Sequence, residues 1–241
     1  MVSTTKDVVI TQDTPLKEPI YVFEAPVRLW HWTHTLSIIA LIVTGYLVAN
    51  PLPSISGEAS DHFMFGTIRL IHFGSAYVFA IGFAVRIYWA LVGNKWSREL
   101  FIVPFWRGAW WAGLWHEIRF YTFTTRTMGK HIGHNPLAQA AMWVLNVLLG
   151  LFMIATGFAL YSQGAGAGSW ADTWFGWVFV LVPSSQTVRM WHLMGMWLML
   201  LFVIIHVYMA IRAEMMSRQN SVGVILSGWR TWKDDGPMKP Q

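Results

Sequence analysis

Three times in this chain an arginine is followed, one helical turn later, by a histidine: Arg28-Leu29-Trp30-His31, Arg69-Leu70-Ile71-His72 and Arg189-Met190-Trp191-His192. Each copy lies near the start of a long apolar run. A further histidine, His206, sits in the same run as His192 with no arginine three residues before it. Ionisable groups inside apolar segments are costly and need a reason to be there. Neutral imidazole is a strong transition-metal ligand, and guanidinium pairs well with carboxylates. Histidines at depth, with arginines one turn nearer the surface, form a set that would hold a haem by its iron and its propionates.

The spacing within the last run supports this chemistry. His192 and His206 are 14 residues apart, close to four helical turns, so both project from roughly one face. The rise between them is about 21 Å at about 1.5 Å per residue. Two ligands on one face at two depths suit two haems stacked across a bilayer core of about 30 Å. His34 competes with His31, since it lies one turn away on much the same face; the upstream Arg28 favours His31. His62, His116 and His131 fall in connections and receive no ligand role. Met194, Met196, Met199 and Met209 stand at helical spacing and read as packing rather than thioether ligands.

The elements that position these residues are transmembrane helices. Of 241 residues, 55% are hydrophobic and only 12% charged, half the charge of a typical soluble domain at about 25%. The spanning runs are expected at about 26–49, 63–92, 136–160 and 187–212. Pro26 suits the first turn of one helix, and Asn135-Pro136 supplies an N-cap and first-turn proline for the third. Asp61 is a candidate cap for the second, and Gly93-Asn94 its break. The fold class is all-α, an integral-membrane four-helix bundle forming one domain over 1–241. The first 19 residues lack the apolar core of a cleaved signal peptide and read as a short tail, as does 230–241. With no cysteine in the chain, disulfides, iron–sulfur ligation, thiolate catalysis and covalent CxxCH haem attachment are excluded. The net charge of +5 is split among separate segments, which argues against nucleic acid as a partner and for charge as an orientation signal.

Lysine and arginine mark the orientation. The first and third connections (50–67 and 161–187) carry none. The second carries six (Lys95, Arg98, Arg107, Arg119, Arg126, Lys130), and the last segment five (Arg212, Arg218, Arg230, Lys233, Lys239). Both termini and the middle connection are therefore expected in the cytoplasm. Within that connection, 104–123 mixes Trp106, Trp110, Trp111, Trp115, Phe120 and Tyr121 with Arg107 and Arg119, the composition of a helix lying in the headgroup region. On the far side, 170–182 is too short to span and reads as an interfacial segment or a docking surface. This topology places His72 and His192 in the outer half of the membrane and His31 and His206 in the inner half. Each pair offers two imidazoles from different helices, as a six-coordinate b-type haem needs. Arg69 and Arg189 face the outer propionates and Arg28 the inner.

The stretches YVFEAPVRLWHW (21–32), RLIHF (69–73), SRELFIVP (97–104), GHNPLAQ (133–139), WHLMGMW (191–197) and HVYMA (206–210) closely resemble the b-type cytochrome subunits of membrane-bound respiratory nickel–iron uptake hydrogenases. Their order and extent, from residue 21 to the tail, carry the resemblance. It implies a multi-pass subunit of the bacterial inner membrane with two b-type haems. Such a subunit would bind the hydrogenase small and large subunits in a higher oligomer of the complex and pass electrons to quinone. A more distant similarity to the cytochrome b of formate dehydrogenase implies a quinone site bordered by Gly133-His134-Asn135. Asn135 leads there, with His134 and Gln139 as further candidates; Asn135 reads equally as the N-cap alone. The rival readings are the cytochrome b of another periplasmic dehydrogenase, and a haem-free proton-coupled transporter that uses intramembrane histidines.

Overall fold

The computed structural model describes residues 19–53, 57–58, 62–126, 131–217 and 220–231. Asp61, Lys130, Arg218, Lys233 and Lys239, and all but the last residue of the N-terminal tail, lie outside these. Four spans of 25, 29, 30 and 33 residues exceed the roughly 20 needed to cross a bilayer. They are α1 (Ala25–Ala49), α2 (Met64–Val92), a composite of α5 (Pro136–Met142), a π-helical stretch (Trp143–Leu148) and α6 (Leu149–Ala165), and α9 (Ser185–Ser217). Between α2 and α5 lie α3 (Lys95–Arg98) and α4 (Gly108–Tyr121); between α6 and α9 lie α7 (Trp170–Phe175) and α8 (Trp177–Leu181). The chain closes with α10 (Gly223–Ser227). Val43, Val85 and Ile204 are apolar and exposed, as expected where the outer faces of a bundle meet lipid rather than water.

The ends of the bundle differ, and each has its own fastening. At one, here the terminal end, a strand pair absent from the sequence reading joins β1 (Ile20–Tyr21) antiparallel to β2 (Trp229–Arg230). Gly228, at φ 86°, offers its carbonyl to the amides of Val22 and Phe23 at 2.8 and 3.2 Å. A Cβ there would strike the Phe23 carbonyl and the Tyr21 ring, so the pairing requires glycine. Arg230 was expected to be an orienting charge in the tail. It is instead 7% exposed, with Nε and Nη2 donating to the carbonyls of Ile132 and Gly133 at 3.1 and 3.3 Å. Burial holds its pKa below the usual arginine value, partly offset by Glu214 and Glu99.

Glu24 performs the same kind of joining between helices. One carboxylate oxygen accepts from Trp89 Nε1, the Asn94 amide and Ser97 Oγ at 2.9, 2.9 and 3.3 Å, which locks the start of α1 to the end of α2. Pro26 occupies the first turn of α1, and Gly93 ends α2, as the sequence predicted. The long α4 matches the expected interfacial helix: Trp110 and Phe120 are buried while Trp111 and Trp115 are exposed. Its Glu117 is fully buried, 3.3 Å from His131 Nε2. Burial, then the charge of Glu117, pushes the nearby Tyr121 phenol up to about 12. Arg212 donates to the Phe120 carbonyl at 3.1 Å and ties α9 to α4.

The opposite, loop end is packed by aromatics. Both short helices fold back on α6, where Ala159, Val178 and Val188 form a buried cluster and Phe158 meets Trp170 at 5.2 Å between ring centroids. The predicted short segment is thus two helices whose Trp174, Trp177, Val180 and Leu181 remain exposed. The last span runs past the predicted 187–212 at both ends, from Ser185 to Ser217.

Candidate functional site

Near the loop end, all four spans contribute to one cavity of about 470 Å³, within the range of roughly 300–1,000 Å³ typical of cofactor sites. Arg69 and His72 from α2 and Arg189 and His192 from α9 line it together. The two Arg-x-x-His copies assigned to the outer half are thus brought to one place. Much of the remaining lining is apolar, including Leu41, Ile42, Met196 and Met199.

Each histidine is held by a threonine from a neighbouring helix. Thr44 Oγ1 on α1 is 2.9 Å from His72 Nδ1, and Thr156 Oγ1 on α6 is 2.8 Å from His192 Nδ1. A hydroxyl has one proton to give. Thr44 donates it to the Ala40 carbonyl at 2.5 Å, and Thr156 to the Phe152 carbonyl at 2.8 Å. With that proton on the carbonyl, each hydroxyl accepts from Nδ1–H, the tautomer that leaves Nε2 unprotonated and able to bind a metal.

The next residue in each case is glycine. A Cβ on Gly45 would lie 3.3 Å from His72 Cε1, and one on Gly157 would lie 3.1 Å from His192 Cε1. Any larger residue would push the imidazole aside. The sequence analysis missed this pair of Thr-Gly steps, Thr44-Gly45 and Thr156-Gly157. Their signal is a Thr-Gly dipeptide occurring twice within apolar helices.

Towards the terminal end, the rings of His31 and His206 face each other from α1 and α9, with centroids 6.4 Å apart and planes at 44°. His31 Nδ1 is buried with no hydrogen-bond partner among the described residues. Arg28 is half-buried and donates to the Leu226 carbonyl at 2.6 Å, while its Nε is unpaired. His34, the competitor for His31, is turned elsewhere. It is 6% exposed, stacked between Trp30 and Phe79, with Nε2 3.1 Å from Asn146 Oδ1 in the π-helical stretch.

The three quinone-site candidates occupy different environments. Gln139 is saturated: it donates to the carbonyls of Glu99 and Ile102 at 2.8 and 3.1 Å and accepts from Trp110 Nε1 at 2.9 Å. It pins α4 to α5. Asn135 caps α5 by accepting from the Ala138 amide at 2.7 Å. His134 has both its amide and Nδ1 on one oxygen of Glu99, at 2.9 and 3.0 Å. Its ring lies near those of His31 and His206. The sequence reading also passed over Arg86, which is 2% exposed. It donates to the Ser97 carbonyl at 2.7 Å and lies over the rings of Trp30 and Phe101.

A family model described as prokaryotic cytochrome b561 matches residues 22–228. Proteins named "Probable Ni/Fe-hydrogenase B-type cytochrome subunit" are similar along nearly the whole chain. That of Azotobacter vinelandii is 53% identical over 218 residues, 90% of this chain and 91% of its own. That of Cupriavidus necator is 50% identical over 214 residues, 89% and 88% of the two chains. The hydrogenase 1 counterpart of Escherichia coli K12 is 49% identical over 218 residues, 88% and 91%. Such a family implies haem b, and the residues here fit that group: paired imidazoles with Nδ1 already engaged, glycines where a Cβ would intrude, and arginines at the same cavity. Four apolar spans and a match over most of its length place the chain as a multi-pass membrane protein of the prokaryotic cytochrome b561 family.

Proposed function

We propose that this chain is the membrane cytochrome of a respiratory nickel–iron hydrogenase, carrying electrons from the hydrogenase small subunit across the bilayer to quinone with two b-type haems. The observation that carries this reading is the convergence of His72 and His192, from different helices, on one cavity shared with Arg69 and Arg189. The names of the relatives supply the partner. Haem b bound at these positions supplies one-electron exchange without bond-making by the protein.

Each residue has a defined task in this reading. His72 and His192 would hold the outer haem, and Arg69 and Arg189 would neutralise its propionates. His31 and His206 hold the inner one, with Arg28 on the same side. The basic connection and tail support a cytoplasmic terminal end, with the outer pair towards a hydrogenase in the periplasm. His134 is the best-placed quinone residue. Its Nδ1 is occupied by Glu99, which leaves Nε2 to exchange a hydrogen bond with a quinone oxygen near the inner pair. Asn135 and Gln139 are engaged in holding α5.

The test is purification of the intact complex, with haem quantification and a reduced-minus-oxidised spectrum. Two haems per chain, hydrogenase subunits that co-purify, and dihydrogen-dependent quinone reduction are expected. A preparation without haem bands would overturn the reading in favour of a transporter. Co-purification with a different dehydrogenase would replace the partner.

A further inference from the structure

We propose that Thr44 and Thr156 are positioning residues that lower the redox potential of the loop-end site. The proposal rests on the reading of His72 and His192 as axial ligands. Both hydroxyls are committed as acceptors, because each gives its proton to a backbone carbonyl of its own helix at 2.5 or 2.8 Å. The imidazoles answer with Nδ1–H at 2.9 and 2.8 Å. Such a bond fixes the ring and draws positive charge off Nε2, making the ligand more basic. A more basic ligand favours ferric over ferrous iron, so the midpoint potential falls. One-electron reduction leaves the Nδ1 proton on the ring, and the bond persists in both states.

At the terminal end the contrast is carried by His31. His31 Nδ1 is buried and faces no acceptor among the described residues. Its ring is oriented by packing, against Trp32 at 5.2 Å and His206 at 6.4 Å between centroids. A ligand without an Nδ1 acceptor is the weaker donor, so His31 receives no lowering of this kind.

The experiment is a redox titration of the intact complex carrying Thr44→Val or Thr156→Val, with the two haems resolved by their midpoints. Valine keeps the shape of threonine and removes the acceptor. Each variant is expected to raise the ferrous-to-ferric ratio at the loop-end haem roughly three- to tenfold at fixed potential, about 30–60 mV more positive for one electron. The terminal-end midpoint stays unchanged. Thr44→Ser and Thr156→Ser keep the hydroxyl and are expected to titrate as the natural protein. Where valine fails to retain haem, Thr→Cys takes its place, since sulfur accepts only weakly, and a smaller shift of the same sign is expected. Retained haem with an unmoved midpoint overturns the proposal. So does an equal shift at both haems, or a serine variant that shifts as valine does. The ligand assignment fails separately, if His72→Ala leaves the loop-end haem spectrum intact.

Discussion

The two histidine pairs face the same task with unequal support. At the loop end each imidazole is bonded to a threonine, backed by a glycine, and open to a cavity with two arginines. At the terminal end two rings lie 6.4 Å apart, Arg28 already serves α10, and His31 Nδ1 has no partner among the described residues. A site whose ligands are held by neighbouring hydrogen bonds loses little freedom on binding, whereas one held by packing is more easily disturbed. The contrast predicts that the outer haem survives purification and mild detergent better than the inner one.

The largest effect should come from the ligands themselves. His72→Ala or His192→Ala is expected to remove the outer haem and block dihydrogen-dependent quinone reduction altogether. His31→Ala or His206→Ala should remove only the inner one, leaving hydrogenase activity with a soluble dye. Haem quantification after each substitution checks this, and loss of the same haem from both groups would erase the distinction between the ends. Next is Gly157→Leu, which places carbon against His192 Cε1 where even a Cβ would lie at 3.1 Å. It should lower outer haem content severalfold with no change in inner haem. Removing one cavity arginine, by Arg69→Gln or Arg189→Gln, should weaken outer haem retention and lower its midpoint potential through loss of positive charge. An unaltered midpoint would make these arginines surface charges only. The smallest effect belongs to His34→Leu, which breaks the bond to Asn146. It should cost roughly 0.6–1.7 kcal/mol of stability, the range of interhelical hydrogen bonds in membranes, and leave two haems in place. Loss of a haem would restore His34 as a ligand.

Much of the scaffold was legible because bilayer thickness and hydropathy dictate it. Spans begin and end close to the expected residues where a proline, asparagine or glycine marks the boundary, as at Pro26, Asn50, Gly93 and Asn135. The histidine pairing followed from depth, which is linear in sequence. What stayed hidden depends on contacts between distant segments. Thr44 and His72 are 28 residues apart, and Thr156 and His192 are 36, so no local window reveals either bond. Arg230 was misread for the same reason: a charge count assigns it to water, yet its partners are carbonyls almost 100 residues earlier. Gln139 looked like a ligand-binding amide until its three hydrogen bonds were placed.

The π-helical stretch Trp143–Leu148 acts as a phase shifter for the loop-end site. A π turn holds one residue more than an α turn, so everything beyond it is rotated by about 100° relative to an uninterrupted helix. Thr156 and Gly157 lie beyond it, while the Asn135 cap that anchors the span lies before it. Deleting a single residue from the stretch would restore regular α-geometry, and would swing the threonine and glycine a quarter turn away from His192. The threonine that bonds His192 is thus aimed by an irregularity two to three turns upstream, in the same stretch that gives Asn146 to His34.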